Sequence, residues 1–354
     1  MKIRSAIVAA LLPAFVISGV NQRPDGSLAS HLAHAANNQA RRQKEQKDKD
    51  APARKKQIED DTTIRVDTTL VTVPVVAMDR AGKFAPGLRA EDFRVFEEGV
   101  AQEIAFFLSA EEPVTVALML DVSDSTESNL RQIQDAAIAF VDQLRPNDQV
   151  TVIEFDSGFR ELTPATSDRP AIHDAIRRAR TGGGTRLYDA VDFALTKRLN
   201  RVIRRKAIIL FTDGVDVDSE TSLEKSMRTA EEAGVFIYPI QYKHPQDSSS
   251  AMLTGSLPMG KPSYRGDPNK AAFYLRGIAK STGASFYLAE DKKSMTKSFA
   301  LIAEELRRRY DLGYYPTAPA KPGQRVKIKV TIEKPGVVIR TRASYIYSPR
   351  NAEK

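Results

Sequence analysis

A short run of hydroxyl and carboxylate side chains follows an apolar stretch in this sequence. In "LMLDVSDSTES", Asp121, Ser123 and Ser125 stand at alternate positions, so an extended loop would direct their oxygens to one side. Two later loops carry the same kinds of oxygen, because Thr185 follows three glycines in "GGGTRLYD" and Asp213 ends an apolar run in "FTDG". We expect the three loops to meet, since ligands of open α/β sheets bind beyond the carboxyl ends of the strands.

Oxygens of this kind are the ligands that hard divalent cations prefer. They suit Mg²⁺ or Mn²⁺ better than zinc or copper, and the chain has no cysteine to offer a thiolate. If hydroxyls dominate the direct contacts and carboxylates act largely through water, the ion keeps much of its charge and attracts a carboxylate from outside. Taken alone, the polar residues of the first loop could simply mark the end of a strand. The three loops together favour a metal site.

The elements that must position these loops alternate between strand and helix. "VTVALMLDV" and "RKAIILFTDG" are apolar runs typical of parallel strands buried on both faces. Between them the sequence predicts a helix over Asn129–Leu144, a hairpin of "QVTVIEF" and "FRELTP", and two more helices. More helices and strands alternate after them. The order predicts a Rossmann-like open α/β sheet with helices on both faces, over residues 113–310.

Segments rich in β-branched residues lie on both sides of this domain. Residues 62–112 include "TIRVDTTLVTVPVVAMD", which predicts one or two strands over 62–79. They also include "DFRVFEEGVAQEIAFF", which predicts a hairpin turning at Glu98 and Gly99. Residues 311–348 include "RVKIKVTIE" and "VVIRTRASYIY". We expect the two segments to pair as one small β module into which the α/β domain is inserted, because the termini of inserted domains commonly lie close together.

The N-terminal region differs from the rest of the chain. Residues 1–20 place Lys2 and Arg4 before a mostly apolar run, which predicts a signal peptide or an uncleaved N-terminal anchor. Residues 21–61 are rich in mixed charges and poor in apolar side chains, which predicts a disordered charged linker. We therefore expect an exported protein, periplasmic or secreted, with membrane contact only through a retained anchor.

The net charge does not indicate a nucleic-acid partner. The formal charge is +8, but the basic residues are scattered and lack the aromatic or motif support that nucleic-acid recognition needs. A solvated basic surface explains the excess.

The three loops resemble the metal-ion-dependent adhesion site, or MIDAS, of von Willebrand factor A domains. The resemblance lies in Asp-x-Ser-x-Ser at residues 121–125, Gly-Thr-x-Leu-Tyr-Asp-Ala at 184–190 and Thr-Asp-Gly at 212–214. It implies that Ser123, Ser125 and Thr185 bind Mg²⁺ or Mn²⁺ directly, and that Asp121 and Asp213 act largely through bound water. The flanks are similar to those of VWA-related proteins abundant in acidobacteria.

The sequence offers little support for an enzyme. "TGGGT" lacks the end of a phosphate-binding P-loop, the serines are not in Gly-x-Ser-x-Gly, and no histidine has an evident place as a general base. Asp189 is expected to anchor its loop or helix. The family resemblance implies an exported, non-catalytic module that binds an acidic residue of a protein partner, with loop 243–269 as a candidate specificity surface. The alternatives are a metal-free scaffold of the cell envelope and, less favoured, a metal-dependent hydrolase.

Overall fold

A computed structural model describes residues 70–202, 205–242, 267–318 and 320–348. The predicted signal or anchor, the charged linker and most of the loop 243–269 lie outside these residues. No helix within the described ranges is both long enough and apolar enough to cross a membrane.

The described residues form strands and helices in the alternation that the sequence predicts. The strands are β1 (Val71–Asp79), β2 (Phe93–Glu97), β3 (Val100–Gln102), β4 (Ile104–Leu108), β5 (Val114–Asp121), β6 (Gln149–Phe155), β7 (Phe159–Thr166), β8 (Arg205–Thr212), β9 (Phe236–Tyr242), β10 (Tyr287–Ala289), β11 (Arg309–Tyr314), β12 (Arg325–Ile332), β13 (Val337–Thr341) and β14 (Ser344–Ile346). The α-helices are α1 (Leu130–Gln143), α2 (Arg169–Arg178), α3 (Leu187–Phe193), α4 (Leu223–Ala233), α5 (Pro268–Thr282) and α6 (Lys292–Leu306).

The central sheet has six strands in the order β10-β9-β8-β5-β6-β7. Every neighbouring pair is parallel except β6 and β7, which form the predicted antiparallel hairpin. Strand β5 lies in the middle and is buried along its whole length, which explains why its sequence is continuously apolar rather than alternating.

Helices cover both faces of this sheet. Leu118 and Leu120 of β5 pack with α1, α2 and α6 through a core that includes Phe140, Ile172 and Phe299. The side chains that alternate with them along β5, such as Met119, pack on the opposite face with residues of α3, α4 and α5. The predicted open α/β fold with helices on both faces is therefore confirmed.

Strands from both flanks form two further sheets, in the orders β13-β1-β11-β4 and β14-β12-β2-β3. Each sheet combines strands that precede the central sheet with strands that follow it, and the two share a core that includes Val73, Phe93, Leu312 and Tyr345. The hairpin turns at Glu98 and Gly99, which both have positive φ. The sequence "IAFF" lies outside that hairpin, because β4 pairs with β11 in the other sheet.

Buried arginines connect the flanking strands to the amino ends of the central strands. Arg205, the first residue of β8, donates to the carbonyl oxygens of Ala110 and Glu112 at 2.9 and 2.7 Å and also to that of Leu306. Arg309 donates to the carbonyl oxygen of Lys206 at 2.8 Å. Because β5 and β8 are parallel, these contacts lie at the sheet edge opposite the carboxyl ends, where the polar loops begin.

Candidate metal site

Asp121 ends β5 at the carboxyl edge of the sheet and is completely buried. One carboxylate oxygen accepts hydrogen bonds from the backbone N–H of Ser123 at 3.0 Å and from its hydroxyl at 2.6 Å. The other oxygen accepts from the Thr212 hydroxyl at 2.6 Å. Burial raises the pKa of Asp121 to about 7, and the negative charge of Asp213 contributes to the rise.

Ser125 connects the first loop to the third. Its hydroxyl donates to Oδ2 of Asp213 at 2.8 Å and lies 3.1 Å from the Ser123 hydroxyl. Oδ1 of Asp213 accepts from the backbone N–H of Val215 at 2.8 Å. Each carboxylate thus accepts from one serine hydroxyl, and the two hydroxyl oxygens lie against each other. Asp121, Ser123, Ser125 and Asp213 therefore form one continuous chain of polar contacts between the carboxyl ends of β5 and β8.

The loop after β5 is not extended, contrary to the sequence-based expectation. A 3₁₀ turn spans Asp124–Asn129 directly after Ser123, and Thr126 fixes it by donating both its backbone N–H and its hydroxyl to the Ser123 carbonyl oxygen. The two serine hydroxyls meet because the chain turns between them, so the alternate spacing of the residues was not the cause.

Thr185 reaches this edge on the glycine-rich loop and is also buried. The Gly182 N–H donates to the Val122 carbonyl oxygen at 2.8 Å, and the Thr185 carbonyl oxygen accepts from the N–H groups of Val217 and Asp218. The backbone of the second loop is thus bonded to both the first and the third loop. Among the described residues, no hydrogen bond joins the Thr185 hydroxyl to the four-residue chain, and its role as a ligand stays a prediction.

Two of the three glycines are required by close packing. Gly184 has φ +52°, and a Cβ there would lie 2.4 Å from Oδ2 of Asp218. A Cβ on Gly182 would lie 2.1 Å from Oδ2 of Asp156, whereas Gly183 has open space around it. A residue with a side chain would be strained at Gly184, whose left-handed conformation directly precedes Thr185.

Two polar residues at the end of the neighbouring strand β9 also contact these loops. Tyr242, the last residue of β9, lies with its hydroxyl 3.2 Å from that of Ser125, and Gln241 donates to the Asp213 carbonyl oxygen at 2.9 Å. We did not predict Thr212, Gln241 or Tyr242 as members of the site. Their signal in the sequence was position alone, because Thr212 ends β8 and Gln241 and Tyr242 are the last two residues of β9.

Asp189 has the anchoring role that the sequence predicts. Its carboxylate accepts from the backbone N–H groups of Glu220 and Thr221 at 3.0 and 2.9 Å and pairs with Arg186. Burial acts to raise the pKa of Asp189, but these hydrogen bonds outweigh it and the pKa is lowered. The carboxylate fixes the start of α3 to the loop before α4.

The donor set fits Mg²⁺ or Mn²⁺ better than zinc or copper. No group of three or more histidine, cysteine, aspartate or glutamate side chains in the described part of the chain is arranged to hold a metal. The three loops instead combine two carboxylates with hydroxyls, all of them hard oxygen donors. Asp121 and Asp213 repel each other, and a cation beside them would relieve that repulsion.

A family model described as von Willebrand factor type A domain matches residues 116–215. These residues are part of a von Willebrand factor type A domain. The matched segment of this VWA domain contains all three loops and all five predicted site residues. The assignment to the narrower acidobacterial group of VWA-related proteins stays a prediction.

Several solved structures are similar to the chain. A von Willebrand factor type A protein from Catenulispora acidiphila has 13% identity, with 79% of this chain and 74% of that chain covered and a TM-score of 0.45. The vWF domain of the type V pili tip protein Mfa5 from Porphyromonas gingivalis has 14% identity, with 55% and 94% covered and a TM-score of 0.43. Proximal thread matrix protein 1 from the mussel byssus, with a zinc occupied MIDAS motif, has 19% identity, with 61% and 50% covered and a TM-score of 0.44. No curated protein matches the chain, and the VWA assignment depends on the family model.

Proposed function

We propose that the VWA domain is an exported, non-catalytic binding module, periplasmic or secreted, that uses a divalent cation to bind an acidic residue of a protein partner. Ser123, Ser125 and Thr185 would hold Mg²⁺ or Mn²⁺ directly. Asp121 and Asp213 would act largely through bound water. The bound ion would supply an open coordination position for a carboxylate oxygen of the partner.

The observation that supports this proposal most strongly is the chain of polar contacts from Asp121 to Asp213. It joins side chains from two loops that are far apart in the sequence, at the sheet edge where α/β proteins bind ligands. If these polar residues served only to end their strands, their side chains would not need to lie in contact with one another.

The direction of the hydrogen bonds favours the hydroxyls as direct ligands. The Ser123 hydroxyl donates its only proton to Asp121, so its oxygen faces a cation with lone pairs rather than with a proton. Both oxygens of Asp121 already accept hydrogen bonds from Ser123 and Thr212. A site whose direct ligands are mainly neutral leaves the ion with most of its charge, and that charge would attract the partner's carboxylate.

The proposal is tested by partner capture from envelope extracts in Mg²⁺ and in EDTA, with bound proteins identified by mass spectrometry. We expect specific partners to be captured by the wild-type chain in Mg²⁺ only, and to be lost with Asp213→Asn. Asp124→Asn is the matched control, because Asp124 is an exposed neighbour outside the chain of polar contacts. Equal capture in EDTA, or by Asp213→Asn, would refute the metal-bridge mechanism.

A metal-free scaffold of the cell envelope is the second candidate. It is favoured by the hydrogen bonds from Ser123 to Asp121 and from Ser125 to Asp213, which pair the two carboxylates with hydroxyls without an ion. In that case the melting temperature would not change with Mg²⁺. A partner, if captured, would be retained in EDTA.

A further inference from the structure

A pocket of about 250 Å³ lies at the amino ends of β8 and β9, at the sheet edge opposite the polar loops. The start of β1 forms one wall and the end of α4 another, with β14 between them. Its apolar side chains include Leu195, Val235 and Ile346, and its charged lining residues are Arg342, which is buried, Lys206 and Glu232. A pocket smaller than those that hold drug-sized molecules suits a small ligand.

One wall of this pocket is an irregular turn of helix. The chain after α3 continues as a π-helix over Ala194–Arg198, and Leu195 and Thr196 of this turn line the pocket. Helices of this type are rare and are found frequently at functional sites. The turn places an apolar side chain and an exposed hydroxyl side by side at the pocket.

Arg342 is 2% exposed and lacks a carboxylate partner among the described residues. Two of its N–H groups donate to the carbonyl oxygens of Glu231 and Thr72 at 2.6 and 2.7 Å. Its Nε donates to no described residue. A guanidinium has five N–H donors, so this buried group retains donors for a further acceptor.

The charges around Arg342 do not balance. The Glu231 carboxylate accepts two hydrogen bonds from Arg325, at 3.0 and 2.9 Å, and one from the Ser344 hydroxyl. Glu232 also lines the pocket; burial raises the pKa of its carboxyl, and Arg228 and Ser348 oppose that rise only in part. One buried carboxylate, that of Glu231, is therefore shared by two arginines, Arg325 and Arg342. The charge of Arg342 is left without full compensation, and burying such a charge is costly.

We propose that this pocket binds a small carboxylate with an apolar tail. The carboxylate would pair with Arg342, and the tail would pack against Leu195, Val235 and Ile346. The charge of Arg342 selects an anion, and a carboxylate matches the fork of a guanidinium. This site is separate from the metal site and does not depend on the function proposed for it.

Hexanoate is the probe for this site, and hexanol and hexylamine are matched neutral and cationic probes. Binding to the full chain is measured by isothermal titration calorimetry in EDTA. We expect saturable binding of hexanoate, with hexanol and hexylamine weaker by about tenfold or more because neither can pair with a buried guanidinium. No saturable binding of hexanoate, or equal binding of hexanol, would overturn the proposal.

A substitution at the rim of the pocket distinguishes binding inside the pocket from non-specific binding elsewhere on the protein. Thr196→Trp places a large ring at the pocket from an exposed position, whereas Lys197→Trp adds the same ring to the next residue of the π-helix, which does not line the pocket. We expect Thr196→Trp to weaken hexanoate binding at least about tenfold and Lys197→Trp to leave it unchanged. Equal binding by the two variants would overturn the assignment. Arg342→Gln is a weaker test, because loss of this buried group can also prevent folding.

Discussion

The Ser125 hydroxyl donates to Oδ2 of Asp213 across 2.8 Å, although the two residues are 88 positions apart in the chain. The contact joins the loop after β5 to the loop after β8 at the carboxyl edge of the sheet. It brings a neutral oxygen against a carboxylate beside a second, fully buried carboxylate, Asp121. This combination is the basis for proposing a shared cation.

Replacing Ser125 by Ala removes one proposed ligand and should reduce stabilisation by Mg²⁺. If the wild-type chain is saturated at about 100 times the dissociation constant, it should gain about 2.7 kcal/mol. For a domain of this size that gain raises the melting temperature by about 5–10 °C. Ser125→Ala should lose most of this shift, measured by calorimetry with and without Mg²⁺. Ser128→Ala, at an exposed position of the same turn, should keep it, and an equal shift in both variants would remove Ser125 from the ligand set.

Gly184→Ala should destabilise the protein, because Gly184 has φ +52° and its added Cβ would also lie against Asp218. The left-handed conformation costs about 1–2 kcal/mol for a residue with a side chain. Gly183→Ala is the control, because its Cβ meets nothing within 4 Å and its φ is not positive. Urea unfolding measures both variants. Equal midpoints would show that the glycine-rich loop does not need the conformation of Gly184.

Glu231 joins α4 to the flanking strands through Arg325 and Ser344. Burial acts to raise the pKa of this carboxyl, but the hydrogen bonds from Arg325 and Ser344 outweigh it and the pKa lies below its ordinary value of 4.5. Glu231→Gln should lower the free energy of unfolding at pH 7 by about 1–3 kcal/mol, the range for hydrogen bonds to a charged group. Arg325 is largely exposed, which favours the lower end of that range.

The pH dependence of this effect has a definite sign. A carboxyl whose pKa is lowered by folding contributes stability in full above the unfolded pKa, and that stability is lost as the pH falls through the folded pKa. The difference between wild type and Glu231→Gln should therefore be constant above about pH 5 and shrink below pH 4.5. Glu224→Gln, at an exposed position of the same helix, should change stability by less than about 0.5 kcal/mol. A difference that grows towards low pH would contradict the assigned role of Glu231.

The architecture was predictable because burial imposed strong patterns on the sequence. Strand β5 is buried on both faces and is continuously apolar, and β12 alternates between buried and exposed residues as a strand with one buried face does. The partner of β4 was not predictable, because "IAFF" adjoins a hairpin in sequence but pairs with β11, some 200 residues later. Local pattern does not encode that long-range choice.

The site was predictable in composition but not in geometry. The types and order of residues predicted a metal site of Asp121, Ser123, Ser125, Thr185 and Asp213. The structure brings all of these except the Thr185 hydroxyl into one chain of polar contacts, and their role as ligands stays a prediction. The 3₁₀ turn between the two serines was missed, because its stabilising bonds run from Thr126 back to a backbone carbonyl rather than following a side-chain period. Tyr242 was missed because its contact with Ser125 depends on the order of strands in the sheet.

The most direct test of the shared cation is equilibrium binding of Mn²⁺ to the full chain, followed by electron paramagnetic resonance of the free ion. The wild-type chain should bind one Mn²⁺ in competition with Mg²⁺. Thr185→Val, which keeps the shape of the side chain but removes its hydroxyl, should weaken binding by about tenfold or more, the loss that corresponds to about 1.4 kcal/mol. Absence of saturable Mn²⁺ binding, or equal affinity in Thr185→Val, would contradict a cation held jointly by the three loops.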